Sequence, residues 1–265
     1  MKVVLFCGGE GTRLREYSEV IPKPMVPIGH RPILWHIMKY YAHYGHKDFI
    51  LALGHKANSI KDYFLNYKET DSNDFVFTKG GKDIELNDSD INDWKITFVD
   101  TGVNSNIGMR LMNVKEYLKN EKYFLANYSD GVTDMNLNSM IDPFITRNDK
   151  IGTFMSFKPK SSLHSVTADN KGIVKSIQPF SYSNLWLNAG YFLFKHEIFD
   201  FIKYGDELIE NPFQRLIKNK DLTTFQYDGF WQPMDTFKDK MLLDKMYSNG
   251  DRPWEVWNNI KNKHD

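Results

Sequence analysis

A short apolar segment that runs directly into a glycine-rich loop limits the possible folds of this chain more than any other feature of its sequence. Residues 3–6 are apolar and rich in β-branched side chains, and glycines follow at positions 8, 9 and 11. β-branched residues favour strands, and glycine lets the backbone turn where other residues would clash. The sequence therefore predicts a buried strand that ends in a tight loop.

Strand-like and helix-like segments alternate along the first half of the chain. Apolar residues recur at helical spacing over residues 31–44 and 60–67, and strand-like runs occupy residues 49–53 and 94–99. The polar stretch 68–95, with its "KGGK" turn, predicts a hairpin. This order of elements is typical of a parallel sheet covered by helices, so we expect an α/β fold.

The pattern becomes richer in strands after residue 150. Residues 151–162 and 172–180 look like antiparallel strands around the turn "ADNKG". Residues 185–195 predict a further strand, and a helix is expected over residues 196–203. No internal repeat or linker interrupts the sequence, so we expect a single domain over residues 1–265 with two halves that meet near residue 150.

The charge balance argues against two classes of partner. Lys and Arg together number 34, as do Asp and Glu, so the formal net charge is zero. Proteins that bind nucleic acid or membrane surfaces through bulk charge are strongly basic. We therefore expect neither a nucleic acid nor a membrane as partner.

The cysteine content and the apolar runs indicate a cytoplasmic protein. Cys7 is the single cysteine of the sequence, which excludes an intrachain disulfide and fits a reducing compartment. No apolar run approaches the ~20 residues that a membrane-spanning helix needs. We expect the protein in the cytoplasm.

The glycine-rich segment has the composition of a phosphate-binding loop. Glycines let backbone N–H groups approach phosphate oxygens without interference from side chains. Two common phosphate loops are excluded, because Thr12 follows Gly11 where the Walker A motif needs a lysine, and Leu14 stands where a dinucleotide fingerprint needs glycine. On the glycines alone, a simple turn at the end of a strand remains an alternative.

Two cations that follow the loop favour an anionic ligand. Arg13 carries a guanidinium that can bind phosphate oxygens in bidentate fashion. Lys23 stands between Pro22 and Pro24, which stiffen the backbone and favour an extended segment. The spacing therefore predicts a site in which both cations face phosphate.

Several motifs together resemble the sugar-nucleotide pyrophosphorylases. The motif "GGEGTRL…PKPM" is joined by "SDGV" at 129–132, "NAGYF" at 188–192 and "GFWQPMDT" at 229–236. The resemblance covers nearly the whole chain, and "GFWQPMDT" is distinctive of the cytidylyl branch of this family. Members of that branch are nucleotidyltransferases that join CTP to a sugar 1-phosphate, release pyrophosphate and supply polysaccharide synthesis.

The resemblance also implies a fold, an oligomeric assembly and the half of the chain to which each substrate binds. We expect a Rossmann-like mixed, mostly parallel sheet flanked by helices, with a β-rich region on the acceptor side. The nucleotide would bind to the half before about residue 150, and the acceptor to residues 151–265, which could also form the contacts of a homo-oligomer.

Residues of the nucleotide site follow from the same resemblance. It assigns catalysis to Arg13, Lys23 and Asp130. The implied nucleotide-binding residues are Phe6, Gly8, Gly9, Glu10, Gly11, Thr12, Arg13, Lys23, Ser105, Arg110 and Ser129. Arg110 and Ser105 would contact the base or ribose, although Arg110 could also be a solvated residue at a helix start.

Asp130 and Asp235 are the expected metal ligands. Two carboxylates from distant segments, together with a triphosphate, form a reasonable Mg²⁺ site, because Mg²⁺ prefers oxygen ligands and substrate phosphates. Taken alone, Asp235 also has the position of a helix N-cap before "TFKDK". The resemblance implies that both aspartates bind Mg²⁺.

His36 lies on the apolar side of a predicted helix and is expected to pack in the core.

The implied reaction is a direct displacement. A phosphate oxygen of the acceptor attacks the α-phosphorus of the nucleotide in line, and pyrophosphate leaves. Catalysis would come from alignment and from charge neutralisation by Mg²⁺, Arg13 and Lys23. No general base is needed, because a phosphate dianion is already a nucleophile.

The acceptor side departs from the family pattern. Relatives carry Glu-Lys-Pro after the antiparallel strands, whereas Gln178 and Pro179 stand at the Glu and Lys positions here. We expect acceptor contacts from His164, Gln178, Asn188 and Gly190. The missing lysine contact could be replaced by a nearby cation, for which His164, Lys158, Lys160 and Lys175 are candidates.

Three functions therefore stay open at this point. The first is a cytidylyltransferase that acts on glucose 1-phosphate or on a different phosphorylated acceptor, including a non-sugar small molecule. The second is a catalytically inactive homologue that binds nucleotide. The third is a glycosyltransferase, against which the loop over residues 8–13 argues.

Overall fold

The computed structural model describes residues 1–11, 21–159 and 164–258. Within these ranges the strands are β1 (Lys2–Phe6), β2 (Pro27–Ile28), β3 (Arg31–Pro32), β4 (Asp48–Leu53), β5 (Phe75–Thr78), β6 (Asp83–Leu86), β7 (Lys95–Asp100), β8 (Tyr123–Asn127), β9 (Gly131–Thr133), β10 (Gly152–Phe157), β11 (His164–Ala168), β12 (Val174–Pro179), β13 (Leu187–Lys195), β14 (Leu222–Tyr227) and β15 (Trp231–Pro233). The α-helices in the same ranges are α1 (Ile33–His43), α2 (Ala57–Leu65), α3 (Ile107–Asn113), α4 (Leu137–Arg147), α5 (Pro212–Asn219) and α6 (Phe237–Ser248).

A seven-stranded sheet in the order β14-β10-β13-β8-β1-β4-β7 forms the centre of the molecule. Only β13 runs antiparallel to its neighbours in this sheet, which are β10 and β8. The remaining neighbouring pairs are parallel. The expected mixed, mostly parallel sheet flanked by helices is confirmed.

The sheet separates two apolar cores, because successive residues of a strand face opposite sides. Val3 and Leu5 of β1 belong to one core, which α1, α4 and α6 cover. Val4 and Phe6 belong to the other, which α3 and α5 cover. Burial on both faces explains why residues 3–6 read as one continuous apolar run.

The six strands of the central sheet other than β13 run in the same direction. Their carboxyl ends therefore meet at one edge of that sheet. Residues 7–11, which follow β1, and the segments that follow β4, β7 and β8 lie along this edge. Open α/β sheets bind ligands outside the carboxyl ends of their strands. The glycine-rich loop after β1 is therefore at the edge where a ligand is expected.

One predicted strand pairing is wrong. The partner of β12 around the "ADNKG" turn is β11 over His164–Ala168, and not the strand over residues 152–157. The latter, β10, lies in the central sheet between β13 and β14. β10 is largely buried, whereas β11 and β12 are exposed along almost their whole length, so the apolar strand takes the central position.

Three other predictions concern single elements. The expected hairpin within residues 68–95 is present as β5 and β6. The expected helix over 196–203 is a 3-10 helix over His196–Phe201. His36 is 2% exposed and packs in the core, as predicted.

Among the described residues, no helix combines the length and apolar character needed to cross a bilayer.

Candidate functional site

A cavity of about 300 Å³ opens at the carboxyl edge of the central sheet. Its described lining residues are Phe6, Gly9, Gly11, Lys23, Pro24, Ile107, Tyr128, Ser129, Asp130 and Asp235. Most of them are residues that the sequence assigns to nucleotide, catalysis or metal. Segments far apart in the chain thus converge on one cavity.

Lys23 joins the two predicted metal ligands. Its Nζ donates to Asp130 Oδ2 at 2.8 Å and also to Asp235 Oδ1. Burial alone would lower the pKa of Lys23, but the two carboxylates outweigh that effect and hold the pKa above its ordinary value. The ammonium therefore stays charged at the centre of the cavity wall.

The backbone after β8 presents Asp130 to the cavity. Ser129 is fully buried and has a positive φ of 64°, and its N–H donates to Asn127 Oδ1 at 2.7 Å. Tyr128 N–H donates to the carbonyl of Gly190 at 3.1 Å, which attaches this turn to β13. A turn held at both ends in this way fixes the direction of the carboxylate.

A short ladder brings Asp235 to Asp130. Strands β9 and β15 are antiparallel, with Gly131 opposite Pro233. The N–H of Met234 donates to the carbonyl of Asp130 at 2.8 Å and continues this ladder. The two aspartates are therefore held side by side by backbone hydrogen bonds, although more than one hundred positions separate them in the sequence.

Asp235 is not the N-cap of the helix that follows, which was the alternative interpretation of this residue. Thr236 caps α6, accepting from the N–H of Asp239 at 3.2 Å, and the Asp239 carboxylate accepts from the N–H of Thr236 at 2.8 Å. This reciprocal pair is a capping box. The side chain of Asp235 can therefore point into the cavity, where it meets Lys23.

The two aspartates fit a magnesium ion that is shared with substrate. Both present carboxylate oxygens to a single cation, the Lys23 ammonium. Among the described residues, no third His, Cys, Asp or Glu completes a metal cluster with them. Two carboxylates supplemented by phosphate oxygens and water are the donor set that Mg²⁺ uses in phosphoryl-transfer sites.

The residues of the glycine loop take different positions. Gly9 and Gly11 line the cavity, and Glu10 is exposed beside them. Gly8 is buried and faces the guanidinium of Arg110 instead. Thr12 and Arg13 lie outside the described residues, so their nucleotide and catalytic roles stay predictions.

Arg110 and Ser105 contact the protein backbone beside the cavity. Arg110 is 2% exposed, so it is not a solvated residue at a helix start. Burial lowers the pKa of its guanidinium, while Cys7 and Asp100 oppose this effect. Ser105 Oγ donates to the carbonyl of Thr101. Neither Arg110 nor Ser105 is among the described residues that line the cavity, and their contact with the nucleotide stays a prediction.

The predicted acceptor residues fall into two groups. Asn188 and Gly190 lie at the start of β13, where Asn188 Oδ1 accepts from the N–H of Gly190 at 2.9 Å. His164 and Gln178 are exposed on the hairpin of β11 and β12. None of these four is among the described residues that line the cavity, so their contact with the acceptor stays a prediction.

Sequence reasoning missed Pro24, Ile107 and Tyr128 as cavity residues. Tyr128 lies between the strand β8 and Asp130, and its hydroxyl accepts from Asn188 Nδ2 at 3.5 Å. Its place directly after an apolar strand and before "SDG" was a signal that could have identified it.

A family model and two relatives of similar sequence identify the protein family of this chain. The nucleotidyl transferase family model matches residues 2–246. The chain belongs to the nucleotidyl transferase family. It is 38% identical over 259 residues to proteins of Salmonella typhimurium and Salmonella typhi named glucose-1-phosphate cytidylyltransferase, covering 97% of this chain and 100% of theirs.

Solved structures agree on the fold of this nucleotidyltransferase. A UDP-glucose pyrophosphorylase complexed with UDP-glucose aligns with a TM-score of 0.67 at 15% identity, over 94% of this chain and 98% of that chain. At this low identity the likeness concerns the fold alone. The expected enzyme family and Rossmann-like α/β fold are confirmed, and the chain is a nucleotidyltransferase enzyme.

Proposed function

We propose that the protein transfers the cytidylyl group of CTP to a sugar 1-phosphate, with glucose 1-phosphate as the first acceptor to test, and releases pyrophosphate. One observation carries the proposal. Lys23, Asp130 and Asp235 converge on a cavity that Gly9 and Gly11 also line. A cation, two metal-binding carboxylates and a glycine loop are the parts that transfer from a nucleoside triphosphate requires.

The chemistry is an in-line displacement at the α-phosphorus. An acceptor phosphate oxygen forms a new bond to that phosphorus while the bond to the pyrophosphate oxygen breaks. Lys23 neutralises phosphate charge, and Asp130 and Asp235 would hold Mg²⁺. When bound, Mg²⁺ supplies further charge neutralisation and orients the phosphates. Arg13 is proposed as a second cation for the triphosphate.

The choice of CTP rests on the relatives and on one sequence segment. The two Salmonella relatives are named cytidylyltransferases, and both are matched over their whole length. The segment "GFWQPMDT" supplies both β15 and Asp235, so it forms part of the site. These facts favour CTP over other nucleotides.

Pyrophosphate release tests the proposal. The protein is incubated with Mg²⁺, glucose 1-phosphate and, one at a time, CTP, UTP, GTP, ATP and dTTP. Release that requires both CTP and the sugar phosphate, and that EDTA stops, is the expected result. A protein that binds CTP but releases no pyrophosphate with any acceptor would be an inactive homologue. Transfer from an already formed nucleotide sugar would indicate a glycosyltransferase.

A different phosphorylated acceptor is a second candidate substrate. Pro179 stands where the family resemblance leads us to expect a lysine, and it lies directly opposite His164 in the β11–β12 register. Side chains of directly opposite residues lie about 5 Å apart, so the imidazole of His164 lies near that position and is our candidate for a replacement contact to the acceptor phosphate. A panel of hexose phosphates, pentose phosphates and polyol phosphates tests this idea. Strict preference for glucose 1-phosphate would contradict it.

We also propose a cytoplasmic homo-oligomer organised as one domain. The central sheet takes strands from both sides of residue 150, which favours a single folding unit. Cys7, the single cysteine, is buried, as suits a protein of the reducing cytoplasm.

Two exposed hairpins support the homo-oligomer. Phe75, Phe77, Ile84 and Leu86 share one face of the β5–β6 hairpin and are between 37% and 61% exposed. The β11–β12 hairpin presents Val166 and Ile177 in the same way. An isolated two-stranded hairpin is marginally stable in water, and contiguous apolar faces mark interaction sites. We propose that the partner is a second copy of this chain, because it carries the same apolar hairpin faces and is always present at the same concentration.

A further inference from the structure

The ammonium of Lys23 lies between the two carboxylates that are the proposed metal ligands. Its Nζ donates to Asp130 Oδ2 at 2.8 Å and also to Asp235 Oδ1. A metal ion that is ligated by both carboxylates would be a close neighbour of an ammonium that is hydrogen-bonded to both. Two cations at short distance in a partly buried site repel each other strongly. Lys23 and Mg²⁺ therefore compete for one pair of carboxylates.

The two sides of this contact differ in their freedom to move. The β9–β15 ladder and the hydrogen bonds that continue it hold Asp130 and Asp235 side by side. The backbone of Lys23 is also held, because its carbonyl accepts from the N–H of Val26 at 3.1 Å and the adjoining Pro24 is buried. The ammonium, by contrast, is carried on a flexible stem of four carbons. A rearrangement at this contact is therefore a movement of the Lys23 side chain.

The cavity that contains this contact also contains the proposed phosphate site. Lys23 lines it together with Gly9 and Gly11. The side chains of Asp130 and Asp235 are each 28% exposed, so an ion in the cavity can reach them. Phosphates held by the glycine loop would offer the Lys23 ammonium a second set of anions. The ammonium can thus pass from carboxylate to phosphate while each charge keeps a partner, which limits the cost of moving it in a partly buried space.

We propose that Lys23 is the counter-ion of Asp130 and Asp235 in the protein without nucleotide, and that it exchanges these carboxylates for the nucleotide phosphates when nucleotide and Mg²⁺ bind together. Each ligand then releases the group that the other one needs, so their binding is coupled beyond the direct contact between metal and phosphate. Such coupling is reciprocal. This inference rests on the proposed function, because it takes CTP and Mg²⁺ as the ligands of this cavity.

The first test measures competition between Lys23 and the metal without nucleotide. The affinity of wild type and of Lys23→Met for Mg²⁺ alone is measured by calorimetry. We expect Lys23→Met to bind Mg²⁺ about tenfold more tightly, because the carboxylates no longer have an internal counter-ion. Lys95→Met is the matched control, because Lys95 pairs with Asp48 on the surface, and it should bind Mg²⁺ like wild type. Unchanged or weaker Mg²⁺ binding in Lys23→Met would overturn the exchange.

The second test measures the coupling itself. The affinity for CTP is determined with and without saturating Mg²⁺, and the ratio of the two affinities is compared between wild type and Lys23→Met. We expect the ratio to be several times smaller in Lys23→Met, because only the direct contact between metal and phosphate remains there. An equal ratio in the two proteins would contradict the proposal.

The outcomes distinguish this inference from the proposed function. Wild-type protein that binds no nucleoside triphosphate contradicts the proposed function. Wild-type protein that releases pyrophosphate from CTP, while Lys23→Met does not bind Mg²⁺ more tightly, overturns the exchange alone. So does a crystal structure with CTP and Mg²⁺ in which Lys23 Nζ still donates to both carboxylates. If Lys23→Met fails to fold, Lys23→Gln takes its place in both titrations.

Discussion

Lys23 is the side chain on which the charge balance of the cavity depends. It lies between Asp130 and Asp235, and without its ammonium two carboxylates would face each other in a partly buried space. Repulsion between them would disturb the proposed metal site. The same ammonium is proposed to neutralise the phosphates during transfer.

We predict that Lys23→Met lowers kcat/KM for pyrophosphate release by about 100-fold or more, the size typical for loss of one charge-stabilising group. Lys95→Met is the control, because Lys95 also pairs with an aspartate, Asp48, at 3.2 Å but on the surface. Such surface pairs contribute about 1 kcal/mol or less to stability. Equal activities of the two variants would remove Lys23 from the mechanism.

The buried side chain of His36 affects how the stability of the fold depends on pH. It is fully buried, and burial lowers its pKa from 6.5 to about 4. Its Nε2 lies 3.1 Å from the carbonyl of Ile28, and Trp254 Nε1 donates to its Nδ1 at 3.3 Å. The second contact requires a ring nitrogen without a proton, so the folded state holds His36 neutral.

Stability is therefore expected to fall as the pH drops from 6.5 toward 4. In that window the unfolded chain binds a proton at His36 and the folded chain does not, which costs on the order of 3 kcal/mol at the acid end. Urea unfolding at a series of pH values measures this loss. His36→Gln should show a shallower slope, with a remaining contribution from His46, whose pKa burial also lowers to about 4. An unchanged slope would contradict the assignment.

Among the helices and strands, the start of α6 and the β9–β15 ladder together place Asp235. Thr236 and Asp239 form the capping box, and the N–H of Asp235 also donates to Asp239, at 3.2 Å. The cap therefore contributes both to the stability of the helix and to the orientation of the Asp235 carboxylate, the proposed metal ligand.

Thr236→Ala should lower the free energy of unfolding by about 1 kcal/mol, the usual cost of losing such an N-cap. Because the cap adjoins Asp235, we also expect a higher Mg²⁺ concentration for half-maximal activity. Thr236→Ser keeps the hydroxyl and should behave like wild type in both measurements. Loss of stability with an unaltered Mg²⁺ requirement would confine Thr236 to a structural role.

The elements also show which pairings local sequence can predict. Strands and helices of the first half follow from the periodicity of apolar residues, which is a property of neighbouring positions. The predicted pairing of residues 151–162 with residues 172–180 was wrong, because the strand His164–Ala168 lies between them in sequence and pairs with β12 instead. Burial decided it, since only β10 is apolar enough to lie inside the central sheet.

For the chain as a whole, the two exposed hairpins are the surfaces through which we propose that copies associate. The apolar face of the β5–β6 hairpin carries Phe77 and Ile84 as a cross-strand pair. The zero formal net charge offers no general repulsion between copies. The hairpins are therefore the part of the surface where a change should act on assembly first.

Phe77→Glu is predicted to shift the protein from oligomer to monomer in light scattering coupled to size-exclusion chromatography. A charge placed in an apolar contact is desolvated without a partner, which opposes association. Val76→Glu is the matched control, because Val76 lies next to Phe77 on the opposite face of the hairpin. Wild-type protein that elutes as a monomer at all concentrations would contradict the proposed homo-oligomer.

The sequence by itself determined the class of fold and the position of the glycine-rich loop, and it selected Lys23, Asp130 and Asp235 as candidate site residues. Periodicity, glycine spacing and recurring motifs are properties of short segments, and they survive without knowledge of distant contacts. The tertiary structure alone decided that Thr236, not Asp235, caps α6, and that Gly8 makes room for Arg110 while Gly9 faces the cavity. These outcomes depend on which side chains from distant strands share one space, and no local pattern encodes that.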